Sequence, residues 1–304
     1  MGNLVTDLKT LELETLKNLQ TSKALNTMRA YKADYKDFAL FCLKHGFKSM
    51  PSEPKIVSLY LTHLSQTSKF STLKRRLASI SVIHKLSGHY IDTKHPMITE
   101  NLMGIKRTIG SHQKAKKPIL INELKLIINA IDKDKNIKRR LKNRTLILVG
   151  FAGGFRRSEL VAIHYEDIDF VNEGVKIFVK KSKTDQSGEG MTKAIPYFSN
   201  LNYCPVTSLK KWTEEIKIKS GKIFDISDKS VALTIKKYVG IAGLDSNKYS
   251  GHSLRSGFAT STAEQGAEER SIMAMTGHKT TQMVRRYIHE ANLFKNNALN
   301  KVKI

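Results

Sequence analysis

Residues 110–118, GSHQKAKKP, contain no large apolar side chain and three lysines. Such a stretch has nothing to bury and much to keep in water, so it cannot be core and reads as a linker between two domains. A chain of 304 residues is long enough for two separate cores. The expected division is a domain over residues 1–109, with 1–20 as a leader, the linker 110–118, and a second domain over 119–304.

The two halves differ in their apolar rhythm. In the first, Tyr31, Tyr35, Phe38 and Cys42 recur at helical steps. Pro51 and Pro54 mark a turn, and Ile56, Leu59, Tyr60 and Leu64 begin a second stripe, with His63 beside it in a structural role. Ser71 or Thr72 would cap a third helix whose apolar side is Leu73, Leu77, Ile80 and Ile83. Lys74, Arg75 and Arg76 would then stand in its first turn, where cations oppose the helix dipole; a phosphate partner or simple solvation would account for them. Beyond the linker, helices are expected from about residue 121 and through Leu141–Phe151. Between Asp167 and Phe198 the pattern shortens to β-forming runs, Ile168, Phe170, Val175, Ile177, Val179 and Ile195, around the turn-forming SKTDQSGEG. Helices return after that, up to a short terminal one around Ala291–Leu299. The fold class expected is mainly α, with a helical bundle followed by an α+β domain holding a small antiparallel sheet.

Charge narrows the partners. Lys and Arg number 52 against 27 Asp and Glu, a net charge of +25. Residues 1–120 carry 20 basic and 8 acidic side chains, and residues 121–304 carry 32 and 19. Both domains are basic, so a polyanion could be gripped from two sides, and nucleic acid is the favoured partner. No aromatic-rich RNA-binding signature stands out. The two cysteines, Cys42 and Cys204, form no CxxC pair and no zinc spacing, which fits a reducing, cytoplasmic setting. No apolar run is long enough to span a membrane, and the start, MGNLVTDLKT, lacks a signal-peptide core. Gly2 and Thr6 match a loose myristoylation pattern, but nothing else points to a membrane.

Four short pieces carry reactive side chains. In GFRRSEL, residues 154–160, Gly153 and Gly154 end a helix and set Arg156 at the start of the next, a place suited to an anion. Lys180, Lys181 and Lys183 lead into the hairpin turn. In HSLRSGFAT, His252 and Arg255 are three apart and share a helix face. In TGHKTTQMVRRYIH, Gly277 suggests a turn, and Tyr287 follows His278 by nine residues. Each piece alone is common.

In this order and at these separations, the pieces resemble the tyrosine recombinases, whose pattern is an Arg in G-[LF]-R-x-S-E-L, a hairpin Lys, H-x-x-R, then G-H nine residues before a Tyr. The resemblance implies a catalytic set of Arg156, Lys183, His252, Arg255, His278 and Tyr287, with Lys181 the alternative to Lys183. Glu159 falls on a supporting acidic position, and His289 is read as structural. It implies a site-specific recombinase or integrase that cuts and rejoins double-stranded DNA through a 3′-phosphotyrosine. Neither ATP nor a metal would be needed, and no P-loop or carboxylate cluster is present. Residues 1–109 would be a core-DNA-binding domain. Lys74, Arg75, Arg76, Lys114, Lys116, Lys117, Arg285 and Arg286 are the candidate DNA contacts.

The resemblance further implies four protomers on two duplexes, an accessory protein in some systems, and a tail, ANLFKNNALNKVKI, docking through Leu293, Phe294 and Leu299. The short leader leaves no room for a separate arm-binding domain, and the ending looks closer to plasmid and mobile-element recombinases than to the chromosome-dimer-resolving pair. The rival expectations are a type IB topoisomerase, separable by relaxation against two-site recombination assays, and a DNA-binding accessory protein that has lost catalysis.

Overall fold

The computed structural model describes residues 7–21, 24–112, 115–182, 185, 188–292, 294 and 297–302. Lys114, Lys183, Gly2, Thr6 and Leu293 lie outside them. The chain divides into two compact units, residues 1–114 and 115–304.

The first unit is helical. It contains α1 (Leu8–Thr21), α2 (Leu25–Lys44), α3 (Pro54–Ser65), α4 (Phe70–Leu86) and α5 (Pro96–Ile109). Pro54 and Pro96 open their helices at positions whose N–H would lack an intrahelical partner anyway. The core gathers Phe38 and Cys42 of α2, Val57, Tyr60 and Leu61 of α3, and Leu73 and Ile80 of α4, among others. Two expectations shift here. The stripe of α3 is centred on Val57, Tyr60 and Leu61, and Leu59 faces out. Helix α4 starts at Phe70 with Lys69 as its cap, so Lys74–Arg76 stand beyond the first turn. The segment expected as leader contains α1, whose leucines 8, 11 and 13 are exposed.

Helices α2 and α4 are joined by a polar cluster. Asp34 is buried and accepts from Ser79 Oγ at 2.7 Å. Arg75 pairs with the same carboxylate, and Arg76 lies 3.3 Å from both Asp34 and Asp37. Tyr60 donates to Asp37 at 2.6 Å. A buried carboxylate is tolerable only when paired in this way.

The second unit holds α6 (Ile121–Asp132), α7 (Ile137–Ala152), the single turn α8 (Arg157–Leu160), strands β1 (Ile168–Val171), β2 (Gly174–Val179) and β3 (Met191–Pro196), then α9 (Pro205–Glu215), α10 (Asp228–Ile241), α11 (Ser253–Glu264), α12 (Glu269–Thr276) and α13 (Thr281–Asn292). The sheet is antiparallel in the order β1-β2-β3, with Val175 opposite Ile195 and Ile177 opposite Lys193. Asp185 shapes the β2–β3 connection by accepting from the backbone N–H of Gly188, Glu189 and Gly190 at 2.8–3.2 Å. The expected terminal helix differs: α13 stops at Asn292, and Ala298–Lys301 form one 3-10 turn.

Helix α7 runs through the core, with Leu146–Ala152 buried. Helix α11 packs on it and on the entering segment. The Lys117 N–H donates to Lys248 O at 2.7 Å, and the Ile119 N–H donates to Ser253 O at 2.9 Å. Gly257 makes this approach possible, because a Cβ there would lie 1.9 Å from Ile119 O.

Candidate active site

The four sequence pieces converge. Helix α7 ends at Gly153, and Gly154 turns the chain with φ +54. Arg156 then caps α8. Glu159, buried three residues on, holds it twice: the Arg156 N–H donates to Oε2 at 3.0 Å and Nη1 donates to Oε1 at 2.5 Å. Arg156 Nη2 reaches Gly277 O at 3.5 Å, linking this turn to the His278 turn.

His252 is the N-cap residue of α11, and Arg255 stands in its first turn. Arg255 is 1% exposed. Its Nη1 donates to Gly154 O at 2.9 Å and its Nη2 to His278 Nε2 at 3.1 Å. Arginine is suited to such a place because its guanidinium keeps its charge. Burial and the nearby Arg156 still pull its pKa down to about 10.

Gly277 ends α12 in the left-handed conformation, φ +63, and releases His278 toward the arginines. Since Nε2 accepts from Arg255, the ring proton is assigned to Nδ1, which donates to Thr276 Oγ1 at 2.7 Å. Thr276 in turn donates to Ile272 O at 2.6 Å. Burial first, then Arg255 and Arg156, push the His278 pKa down to about 4, so the ring is neutral.

Tyr287 projects from α13. Val284, one turn earlier, is fully buried with Ala259, Ala263 and Ile272 and fixes the helix against α11 and α12. The Tyr287 hydroxyl lies 3.4 Å from His252 Nε2, and its ring centroid lies 6.0 Å from that of His278. A cavity of about 310 Å³ is lined by Tyr287, His252, Arg286, Lys116 and Lys117. Thus Arg156, His252, Arg255, His278 and Tyr287 come together within one chain, with three candidate DNA contacts at the edge.

The other candidates are placed differently. Arg285 is exposed and 3.5 Å from Glu269. Lys116 Nζ donates to Asn247 O at 2.6 Å. Lys74 is exposed beside the Phe70 ring, while Arg75 and Arg76 are held by the Asp34 cluster. Lys180, of the hairpin group, pairs with Asp167 at 2.7 Å. Among the described residues, no group of three or more His, Cys, Asp or Glu could hold a metal ion, and no helix is long and apolar enough to cross a membrane.

One residue escaped the sequence reading. Lys193 is completely buried on β3, with Nζ 2.7 Å from Gly153 O, 2.5 Å from Met275 O and 3.9 Å from Glu159 Oε2. Burial pushes its pKa down to about 7, against the opposing pull of Glu159. The signal was available: Lys193 and Ile195 share the inward register of β3, so this lysine had to enter the domain.

The model of the phage integrase family matches residues 118–293. An integrase/recombinase xerD homolog of Selenomonas ruminantium is 42% identical, with the match covering 96% of this chain and 89% of the relative. Tyrosine recombinase XerC of Staphylococcus aureus is 24% identical, over 92% of this chain and 91% of its own. The folds agree with solved structures. XerH recombinase bound to a palindromic difH substrate aligns with TM-score 0.66 at 17% identity, over 83% of this chain and 72% of that one. A lambda integrase dimer bound to a COC' core site aligns with TM-score 0.61 at 17% identity, over 98% and 80%. The family match, the relative at 42% identity and the converged motifs lead to one conclusion: this chain belongs to the phage integrase family, the tyrosine recombinases.

Proposed function

We propose that the chain is a site-specific DNA recombinase that breaks and rejoins strands by transesterification at Tyr287. The observation that carries this is the Tyr287 hydroxyl, 3.4 Å from His252 Nε2, with its ring centroid 6.0 Å from that of His278, which is bonded to Arg255.

The phenol is mostly protonated at neutral pH, its reference pKa being about 10. His252 accepts that proton as the phenolic oxygen attacks phosphorus. The P–O bond to the 5′ oxygen breaks in line, and the hairpin lysine, Lys183 or alternatively Lys181, protonates the departing oxygen. Arg156 and Arg255 stabilise the charge on the phosphoryl oxygens of the transition state. His278 would donate to one of those oxygens from Nε2 in its other tautomer, with Thr276 Oγ1 then donating to the freed Nδ1. Nε2 accepts from Arg255 in this structure, so a phosphate entering between them would exchange one contact for two. The product is a 3′-phosphotyrosine and a free 5′ hydroxyl. Attack by a 5′ hydroxyl from a partner duplex reverses the chemistry on a new strand, with the ester energy conserved.

Assembly follows the same reading. An apolar cavity of about 820 Å³ is lined by Leu124, Phe151, Ile195, Phe198, Phe258 and Met275, among others. The tail presents Phe294 and Leu299 to solvent. We read these as the two halves of a contact between protomers that would assemble four subunits on two duplexes, in the cytoplasm. A lambda integrase tetramer bound to a Holliday junction is among the similar folds, with TM-score 0.59.

The test is a covalent one. Tyr287→Phe retains DNA binding and yields no protein–DNA band on a denaturing gel with nicked substrate. A band as strong as wild type ends the assignment. Sequencing the DNA held by wild type locates the target. Junctions in a plasmid or element support the mobile-element character suggested by the chain's ending, and a fixed chromosomal site overturns it.

A further inference from the structure

Lys193 does not fit the role expected of the hairpin lysine. Its side chain is fully buried, so it cannot follow a leaving group into solvent. What surrounds it is more telling. Gly153 O at the C-cap of α7 and Met275 O in the last turn of α12 stand where carbonyls lack intrahelical partners and the helix dipole is negative. Three residues beyond Gly153 stands Arg156, and three beyond Met275 stands His278. The ammonium also lies 4.5 Å from the centre of the Phe155 ring and 3.9 Å from Glu159, the carboxylate that holds Arg156.

We infer that Lys193 is a positioning residue, whose single ammonium ties two helix C-termini together and thereby sets the separation of Arg156 and His278. An apolar residue at this position would leave both carbonyls buried without a donor, and each loop would relax independently. A misplacement of about 1 Å in a phosphoryl-transfer site costs on the order of 100-fold in rate. The charged groups facing Nζ are Glu159, Arg156 and Arg255, with His278 also coupled to it. The lysine therefore sits among the charged groups of the whole site, although it touches no substrate.

The inference rests on the strand-cleavage reading, and two measurements keep them apart. Hydrogen exchange needs no DNA. Lys193→Met should accelerate exchange of the Arg156 and Gly277 amides while α9 and α10 keep theirs; unchanged exchange at both amides overturns the inference. Cleavage is then measured in single turnover on a nicked duplex bearing the site recovered from wild-type covalent complexes. Lys193→Met should lose about 100-fold in cleavage rate with affinity held within about threefold, and the loss should shrink to below about fivefold when Arg156 is already Ala. An undiminished loss in the Arg156→Ala background, or wild-type cleavage by Lys193→Met, overturns it. If Lys193→Met does not fold, Lys193→Gln, neutral and one bond shorter so that its amide cannot keep both short contacts, enters the same cycle under the same criteria. Should the wild type form no covalent complex, the recombinase reading fails, and the exchange result still decides whether Lys193 is the tie.

Discussion

Two charge clusters, one in each unit, use similar side chains to opposite ends. In the first unit Arg75 and Arg76 meet Asp34 and Asp37, two cations against two carboxylates. In the second, Arg156, Arg255 and Lys193 surround Glu159, three cations against one carboxylate among the described residues. The balanced cluster joins helices. The unbalanced one is held together by backbone carbonyls of Gly153, Gly154, Met275 and Gly277, partners that leave the positive charge intact. Surplus positive charge in a sheltered pocket is what an anionic phosphodiester needs, and its presence costs stability until that anion arrives.

The contrast breaks most visibly at the arginines. Arg156→Ala and Arg255→Ala should each reduce covalent-complex formation by roughly 10²–10³-fold, several kcal/mol of barrier, with much smaller loss of affinity. Gel-shift titration beside single-turnover cleavage checks this, and equal losses in both would make them phosphate anchors only. The balanced cluster should answer in the opposite currency. Asp34→Ala leaves the partly buried Arg76 and the buried Ser79 with fewer partners and should lower unfolding free energy by about 2 kcal/mol in urea titration, while the cleavage rate of bound complex holds.

A smaller effect sharpens the electrostatic side. His278 has a folded pKa near 4, below its ordinary value, so the unfolded chain binds the proton first as pH falls. Its neutral ring contributes fully above about pH 6.5, and that contribution is lost as pH falls toward 4. The stability gap between wild type and His278→Gln should therefore narrow between pH 7 and 4.5 in urea midpoints; a constant gap would place His278 outside the surplus-charge cluster. Smallest are the cations at the edge of the cavity. Lys116→Gln and Arg286→Gln should each reduce the salt slope of DNA binding by about 1 if each meets a phosphate, with cleavage of bound DNA unchanged.

Much of this was legible in the chain. The shift from helical to alternating rhythm located the sheet. The order and spacing of Arg156, His252, Arg255, His278 and Tyr287 anticipated a convergence that no single motif could support. What stayed hidden was pairing across sequence distance. Nothing local ties Arg76 to Asp34, forty-two residues away, so a basic run on α4 read as open to phosphate. Lys193 was overlooked because lysine is expected in water, although its strand register already turned it inward. The stripe of α3 moved by one residue because apolar side chains stand on both of its faces.

The stitching of residues 117–119 onto α11 has a mechanical consequence. Lys117 and Ile119 are hydrogen-bonded to Lys248 and Ser253, and Gly257 lets the backbone of Ile119 rest directly on the helix whose first turn holds Arg255. Any displacement of residues 117–119 would therefore be felt directly at the start of the helix that carries Arg255.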